Sequence, residues 1–347
     1  MPEDIHLGEF KPESALVTKV TEIKRPKIPV IDAHNHLEIV GDYWLKHPVS
    51  ELLDVMDEAN VEAIVDLDGA WGQDIYDHHW ARFKEAAPER FILYTGVEWE
   101  KYAEMGDEFP DYAVEKLEED VRSGAQGLKI DKRFGLQFKD PSGEYIKVDD
   151  PFLAPIWEKV ADLNIPVTIH VADPVAFFKP LDATNERWDE LHEHPEWHFP
   201  SPPYPPFNSI IERFKNLVKR HSRTKFIGAH VGCYAENLEW VSALLDECPN
   251  FNVDISERIG ELGRQPYSAR KFFLKYPDRI LFGVDCVPSL AWYRLYARFL
   301  ETDDEYFNYY LTNPPRQGRW FVHGLYLPDD VLKKVYSLNA KRLINLA

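Results

Sequence analysis

Pro29-Val30-Ile31-Asp32-Ala33-His34-Asn35-His36 is an apolar run that ends in two histidines one residue apart. Such a run reads as a strand. Residues i and i+2 of a strand point to one side, so both rings can reach one point just beyond its end. The pair alone decides little, because thirteen His in 347 residues give about half an His-x-His by chance. The rest of the chain decides more. Punctuation and periodicity predict a first strand at 30–33, then strands at 63–67, 91–96, 127–130, 166–169, 225–229, 251–255 and 280–284. Helical periodicity falls between them, at 49–59, 76–87, 113–123, 152–163, 209–220, 238–246 and 268–275. The remainder, with a periodic segment at 330–346, is expected to be helical. Eight strands alternating with helices predict an α/β fold, the (β/α)8 TIM barrel.

The expected organisation is one barrel domain over 29–347, preceded by an irregular, charged, Pro-bearing arm at 1–28. Residues 131–150 carry Asp140-Pro141-Ser142-Gly143 and read as a long insertion or hairpin. The longest irregular stretch, 174–207, is too long for a neutral connector. Its Phe177, Phe178, Trp188, Trp197, Phe199 and Tyr204 predict a packed lid over the strand ends. The alternative is a plain structural or oligomer-contact loop.

A formal charge of −19 argues against nucleic-acid and anionic-membrane partners, which reward positive charge. No apolar run reaches the length of a membrane span. Cys233, Cys248 and Cys286 are too few and too scattered for a disulfide framework, so a reducing, cytoplasmic setting is expected. Met1-Pro2-Glu3-Asp4 does not begin a signal peptide, although a chain trimmed of its leader would look the same. The expected partner is a small-molecule substrate, and a homo-oligomer is left open.

In a barrel of this kind, chemistry gathers at the C-terminal strand ends. Those positions hold His34 and His36, Lys129 and Asp131, His170, His230 and Asp285. Any one of these histidines reads more readily as a core residue than as a ligand. Four imidazoles and a carboxylate converging from four strands read instead as a metal site. That donor set suits zinc first, and manganese, iron or cobalt as well. Arg258, after the seventh strand, either grips a carboxylate bidentately or pairs with Glu257 or Glu261. Trp71 and Glu98 are candidates to line the pocket. Tyr234 reads equally as an oxyanion donor and as packing, with Cys233 beside it. His78-His79 and the pair His192 and His194 read as packing or surface residues, with a substrate-facing role as the other option for the lid pair. Gly-rich phosphate loops and a Gly-x-Ser-x-Gly elbow are absent.

Val30-Ile31-Asp32-Ala33-His34-Asn35-His36, Ile169-His170, Gly228-Ala229-His230, Leu281-Phe282-Gly283-Val284-Asp285 and the closing Asn339-Ala340-x-Arg342-Leu343 occur in that order. This ordered set resembles the amidohydrolase superfamily. Within it the match is to the amidohydrolase-related (amidohydrolase 2) branch, which holds aminocarboxymuconate-semialdehyde decarboxylase and related lactonases. The resemblance implies that His34, His36, His170 and Asp285 bind a divalent metal. His230 would sit beside it, and Asp285 would double as general base. It implies first a hydrolase that uses metal-activated water on a small carboxylated cyclic ester (lactone) or amide. The alternative is a metal-dependent non-oxidative decarboxylase, a lyase, in which Arg258 and Lys129 hold the carboxylate. Lys129 departs from the decarboxylase-like pattern. Binuclear superfamily members carry a carbamylated lysine there, so one ion is expected, or two if Lys129 is carbamylated. Its other readings are substrate or water contact and a structural ion pair. A catalytically silent barrel is the third functional reading, and the complete ligand set argues against it.

Overall fold

The computed structural model describes residues 4–6, 9–10 and 13–346. Eight parallel strands follow one another around the sheet in chain order. They are β1 (Val30–Asn35), β2 (Val61–Gly69), β3 (Phe91–Thr95), β4 (Gly127–Ile130), β5 (Pro166–Ile169), β6 (Lys225–Gly228), β7 (Phe251–Asp254) and β8 (Ile280–Leu281). The ring closes just past β8. There the Ala33 N–H donates to Phe282 O and the Asp285 N–H to His34 O, both at 2.9 Å. The result is the expected TIM barrel, with every strand where its apolar run predicts. β8 is short, and just past it the chain at Gly283 lies close against β1. A Cβ there would lie 2.9 Å from His34 Cβ, so only glycine permits the approach.

The strands bury both faces, as parallel strands wrapped by helices must. Their outer faces meet apolar stripes of helices such as Val49–Glu58, Phe109–Arg122, Phe207–Arg220 and Leu290–Glu301. The lumen is filled by Ile31, Ala33, Val65, Ile92, Tyr94 and Leu281. Ala340, Leu343 and Ile344 of the last helix, Asn339–Ile344, join that cluster. Lys341 pairs with Glu62 and Asn345 donates to Asn164 O, so this helix closes the end of the barrel where the strands begin.

The expectation of a helical C-terminal remainder needs correction. After Leu290–Glu301 the chain forms no helix until Asp329–Lys333. Pro314, Pro315 and Pro328 lack the N–H that a helix interior needs, and an antiparallel bridge between Phe307 and Val322 folds the stretch back instead. Residues 131–150 contain the short helix Arg133–Leu136 and a hairpin closed by a Lys139–Tyr145 bridge. Residues 174–207 contain one short α-helix, Trp188–Glu193, and two single 3-10 turns, Val175–Phe178 and Pro195–Trp197. Residues 13–28 form neither helix nor strand. They lie along the 302–328 stretch, with Lys19 paired to Asp303 at 2.5 Å and the Thr21 N–H donating to Asp304 at 2.8 Å. The parts of the expected arm at 1–3, 7–8 and 11–12 lie outside the described residues. All three cysteines are free and buried. Among the described residues no helix is long and apolar enough to cross a membrane.

Candidate active site

The site starts from an irregularity. The pairing of β1 with β2 shifts register between Asp32 and Asn35. Ala33 still faces the lumen, while Asp32 faces outward, accepting from Tyr293 Oη at 3.0 Å and from the Val284 N–H at 3.1 Å. The bulge then turns His34 and His36 together into the barrel mouth.

There they meet His230 and Asp285. Asp285 Oδ2 lies 3.6 Å from Nε2 of His34 and of His230, and Oδ1 lies 3.6 Å from His36 Nε2. The other nitrogen of each ring is engaged. Nδ1 donates to Asp254 at 2.8 Å from His34, to Asp68 at 2.5 Å from His36, and to the Ser256 carbonyl at 2.9 Å from His230. Each acceptor fixes the tautomer, so every Nε2 lone pair faces the cluster. A separation of 3.6 Å is too long for a hydrogen bond and close to the ~3.3–3.4 Å edge of a tetrahedron with ~2.0–2.1 Å bonds. Burial holds His34 and His230 well below the usual histidine range, hence neutral as ligands must be. Burial raises Asp285, against the pull of His36 and Lys129. Donor chemistry, tautomers and spacing all fit a divalent metal ion.

His170 joins this group less directly. Its ring packs on His230 at 4.4 Å between centroids. Its Nε2 lies 3.2 Å from Asp173 Oδ1 but off the hydrogen-bonding line, which leaves that nitrogen without a hydrogen-bond partner. Lys132 pairs with the other oxygen of Asp173 at 2.5 Å. Lys129 is buried beneath the cluster with Nζ 3.3 Å from His34 Nε2, and burial lowers its pKa.

Above lies a cavity of about 590 Å³, lined by His36, His170, His230, Arg258 and Asp285 among others. Arg258 is buried, and its Nη1 donates to the Glu257 carbonyl at 2.6 Å. Burial opposes its charge, and Glu261 more than restores it. Glu261 itself is paired by Arg187. Glu257 also lines the cavity, and burial pushes its carboxyl up to about 8. His230, Glu257 and Asp285 all have φ between 53° and 56°, a region rare outside glycine. Such conformations persist only where surrounding structure enforces them, and all three face this cavity.

Trp71 lines the wall, edge-on to His36 at 5.2 Å. Glu98 does not, since Lys101 at 2.9 Å and Tyr112 hold it elsewhere. Tyr234 packs on Phe207 and Trp240, and Cys233 is buried with Sγ accepting from the Val171 N–H at 3.4 Å. His79 is buried against Asp66, and His192 stacks on Trp188. His194 reaches the cavity, stacked on Trp197. Sequence reasoning missed Asp68 and Asp254, which orient His36 and His34. Their signal was a carboxylate inside an otherwise apolar strand, in Val65-Asp66-Leu67-Asp68 and Val253-Asp254.

An eight-stranded parallel barrel with histidines and an aspartate at its mouth defines a class of barrel enzymes in which side chains at the strand ends carry the chemistry. A family model described as amidohydrolase matches residues 31–346, and the chain belongs to that family. No curated protein sequence matches the chain. Among solved structures it is similar to 2,6-dihydroxybenzoate decarboxylase from Rhizobium, at 17% identity and TM-score 0.57, over 92% of this chain and 99% of that one. It is similar to a dihydroxybenzoic acid decarboxylase from a Polaromonas species, with bound manganese and the inhibitor 2-nitroresorcinol. There the identity is 16% and the TM-score 0.56, over 92% and 97% of the two chains. It is also similar to 4-oxalomesaconate hydratase from Rhodopseudomonas palustris, at 15% identity and TM-score 0.52, over 91% and 95%.

Proposed function

We propose that this protein is a metal-dependent lyase that removes CO2 from a small, planar carboxylic acid. The observation that carries the reading is Arg258. Its guanidinium is buried in the wall of the cavity that Asp285 also lines, and it donates to a backbone carbonyl. A buried guanidinium of this kind is a ready bidentate partner for a substrate carboxylate. Trp71, Trp292 and Tyr310 supply flat apolar wall for a ring, in a volume that suits a small molecule. Decarboxylases of dihydroxybenzoates among the similar structures support the same reading.

His34, His36 and Asp285 would hold a divalent ion, zinc or manganese, with His170 as a fourth ligand. When bound, the ion supplies Lewis-acid polarisation of a substrate oxygen. Arg258 holds the substrate carboxylate at the site. Asp285, whose oxygens face the cluster, would relay a proton from water to the carbon as the C–C bond breaks and CO2 departs, the hydroxide left by that water combining with CO2 as bicarbonate. His230, with Nδ1–H committed to Ser256 O, accepts a hydrogen bond on Nε2 from substrate or water. Lys129, buried beneath the cluster and outside the cavity lining, would act on a water held at the floor rather than on substrate. A carbamate on its Nζ would instead bridge a second ion, so metal stoichiometry decides between the two.

Hydrolysis of a carboxylated lactone or amide is the second reading. It is favoured by Asp285, whose two oxygens face three imidazoles as those of a base for activated water would. Zinc- or manganese-loaded protein offered hydroxybenzoates and carboxylated lactones in ¹⁸O-water tests the choice. CO2 release with no ¹⁸O in the organic product supports the lyase. Ring opening with one ¹⁸O incorporated overturns it in favour of the hydrolase.

A further inference from the structure

Behind His36, on the side away from the cavity, lies a set of buried charged groups that the proposed reaction does not use. Asp68 accepts from His36 Nδ1 on Oδ1 at 2.5 Å. Its Oδ2 accepts the N–H groups of Leu37 and Glu38 at 2.9 and 2.7 Å. Nδ1 of His79, at the end of the helix Gln73–His79, lies 4.0 Å from that same oxygen. This nitrogen donates to Asp66 at 2.6 Å, and Nε2 sits 3.1 Å from Glu38. Asp66, Asp68 and His79 are 2% exposed or less. One imidazole therefore meets carboxylates from β2 and from the loop after β1.

Two carboxylates this close in a buried place repel each other unless a cation stands between them. Among the described residues, the ion-pair partners of Asp66 and Asp68 are His36 and His79 alone. His36 is committed to the metal cluster, so His79 is the group placed to screen the pair. Through Glu38 it also pins the loop whose N–H groups hold Asp68, and whose Ile39 and Val40 line the cavity. Partners of this outer kind fix a ligand ring and tune how strongly it binds.

We propose that His79 is a positioning residue of the metal centre, a buried cation that holds Asp68 against His36 without touching ion or substrate. The inference rests on the metal-centre reading of the proposed function. The test is metal affinity, separated from stability. Protein stripped with chelator is titrated with Zn²⁺ or Mn²⁺ against a fluorescent chelator, and the melting temperature of the metal-free form is read in parallel. His79→Gln should weaken binding by about 10–100-fold, and Glu38→Gln by less. His78→Gln, next in sequence but half exposed, should bind as wild type. Wild-type affinity in His79→Gln overturns the proposal, as does a lowered melting temperature with unchanged affinity. If His79→Gln does not fold, Glu38→Gln decides: wild-type affinity overturns the proposal and weaker binding sustains it. If wild-type protein takes up no metal, the metal-centre reading itself fails and takes this one with it, an outcome distinct from a defect in the variant alone.

Discussion

The floor of the cavity, made by the ends of β1, β2, β6, β7 and β8, is fixed by buried pairs, whereas the roof over it is clasped by arginines near the surface. On the floor, His34, His36, Asp68 and Asp254 are almost wholly buried; the Nδ1 of His34 and of His36 has a carboxylate of its own, and that of His230 a backbone carbonyl. In the roof, Arg264, Arg316 and Arg319 hold Glu186, Glu193 and Asp189 of the 174–207 stretch at 2.7 to 3.0 Å, with side chains a quarter to a half exposed. Exposed pairs of that kind contribute ~0–1 kcal/mol each. Breaking a buried pair costs several times more, because a charge is stranded in the interior. The contrast teaches that the floor is held by pairs that are costly to break and the roof by pairs that are cheap to break. One roof residue breaks the pattern: Arg187 is buried between Glu190 and Glu261, under Trp320.

The largest expected effect tests the floor. Asp285→Asn should lower turnover by about 10²–10⁴-fold with an unchanged circular dichroism spectrum. Residual activity above a few per cent would remove Asp285 as the proton carrier. Next comes the roof's exception. Arg187→Met should lower unfolding stability by ~3–5 kcal/mol, read as the urea midpoint; a loss no greater than that of an exposed pair would make the roof uniform after all. Arg258→Met should raise KM for a carboxylate substrate by about tenfold or more and leave metal content unchanged. Equal KM values would place the carboxylate elsewhere.

A pH experiment sharpens the comparison at His79. Burial pushes that imidazole down, but the carboxylates of Asp66, Asp68 and Glu38 outweigh it and raise it to about 9. In the unfolded chain it titrates near ~6.5. Its stabilisation is therefore complete below ~6.5 and is lost as pH rises through about 9. Wild-type stability should fall across that window, and His79→Gln should flatten the fall. An identical slope in the variant would assign the dependence to other groups. The smallest effect belongs to the roof's surface: Arg316→Ala should cost less than ~1 kcal/mol, and the difference from wild type should shrink further in high salt.

The barrel is legible in the chain because parallel strands buried on both faces are written as largely apolar runs, and those of β1, β6 and β8 end in residues of the cluster. His34, His36, His230 and Asp285 come out of that rule directly. Asp68 and Asp254 do not, because a carboxylate within an apolar strand reads as an interruption until the ring it orients is placed opposite. Arg258 is legible as a position but not as a state. Only the structure gives Glu261 to Arg187 and leaves Arg258 facing the cavity. The 302–328 stretch is not helical because Pro314, Pro315 and Pro328 forbid it, although its apolar and aromatic residues pack as those of a helix would.

The bulge in β1 has a consequence for how such a site can be lost. The direction of His34 and His36 depends on a count of residues between Asp32 and Asn35 rather than on which residues those are. In a regular ladder of the same residues His34 would alternate outward from Ala33, and both imidazoles would face the helices. The one extra residue taken up there is what lets Ala33 fill the lumen and His34 reach the mouth on the same side. A change of pairing at this single step, with every side chain kept, would disarm the site.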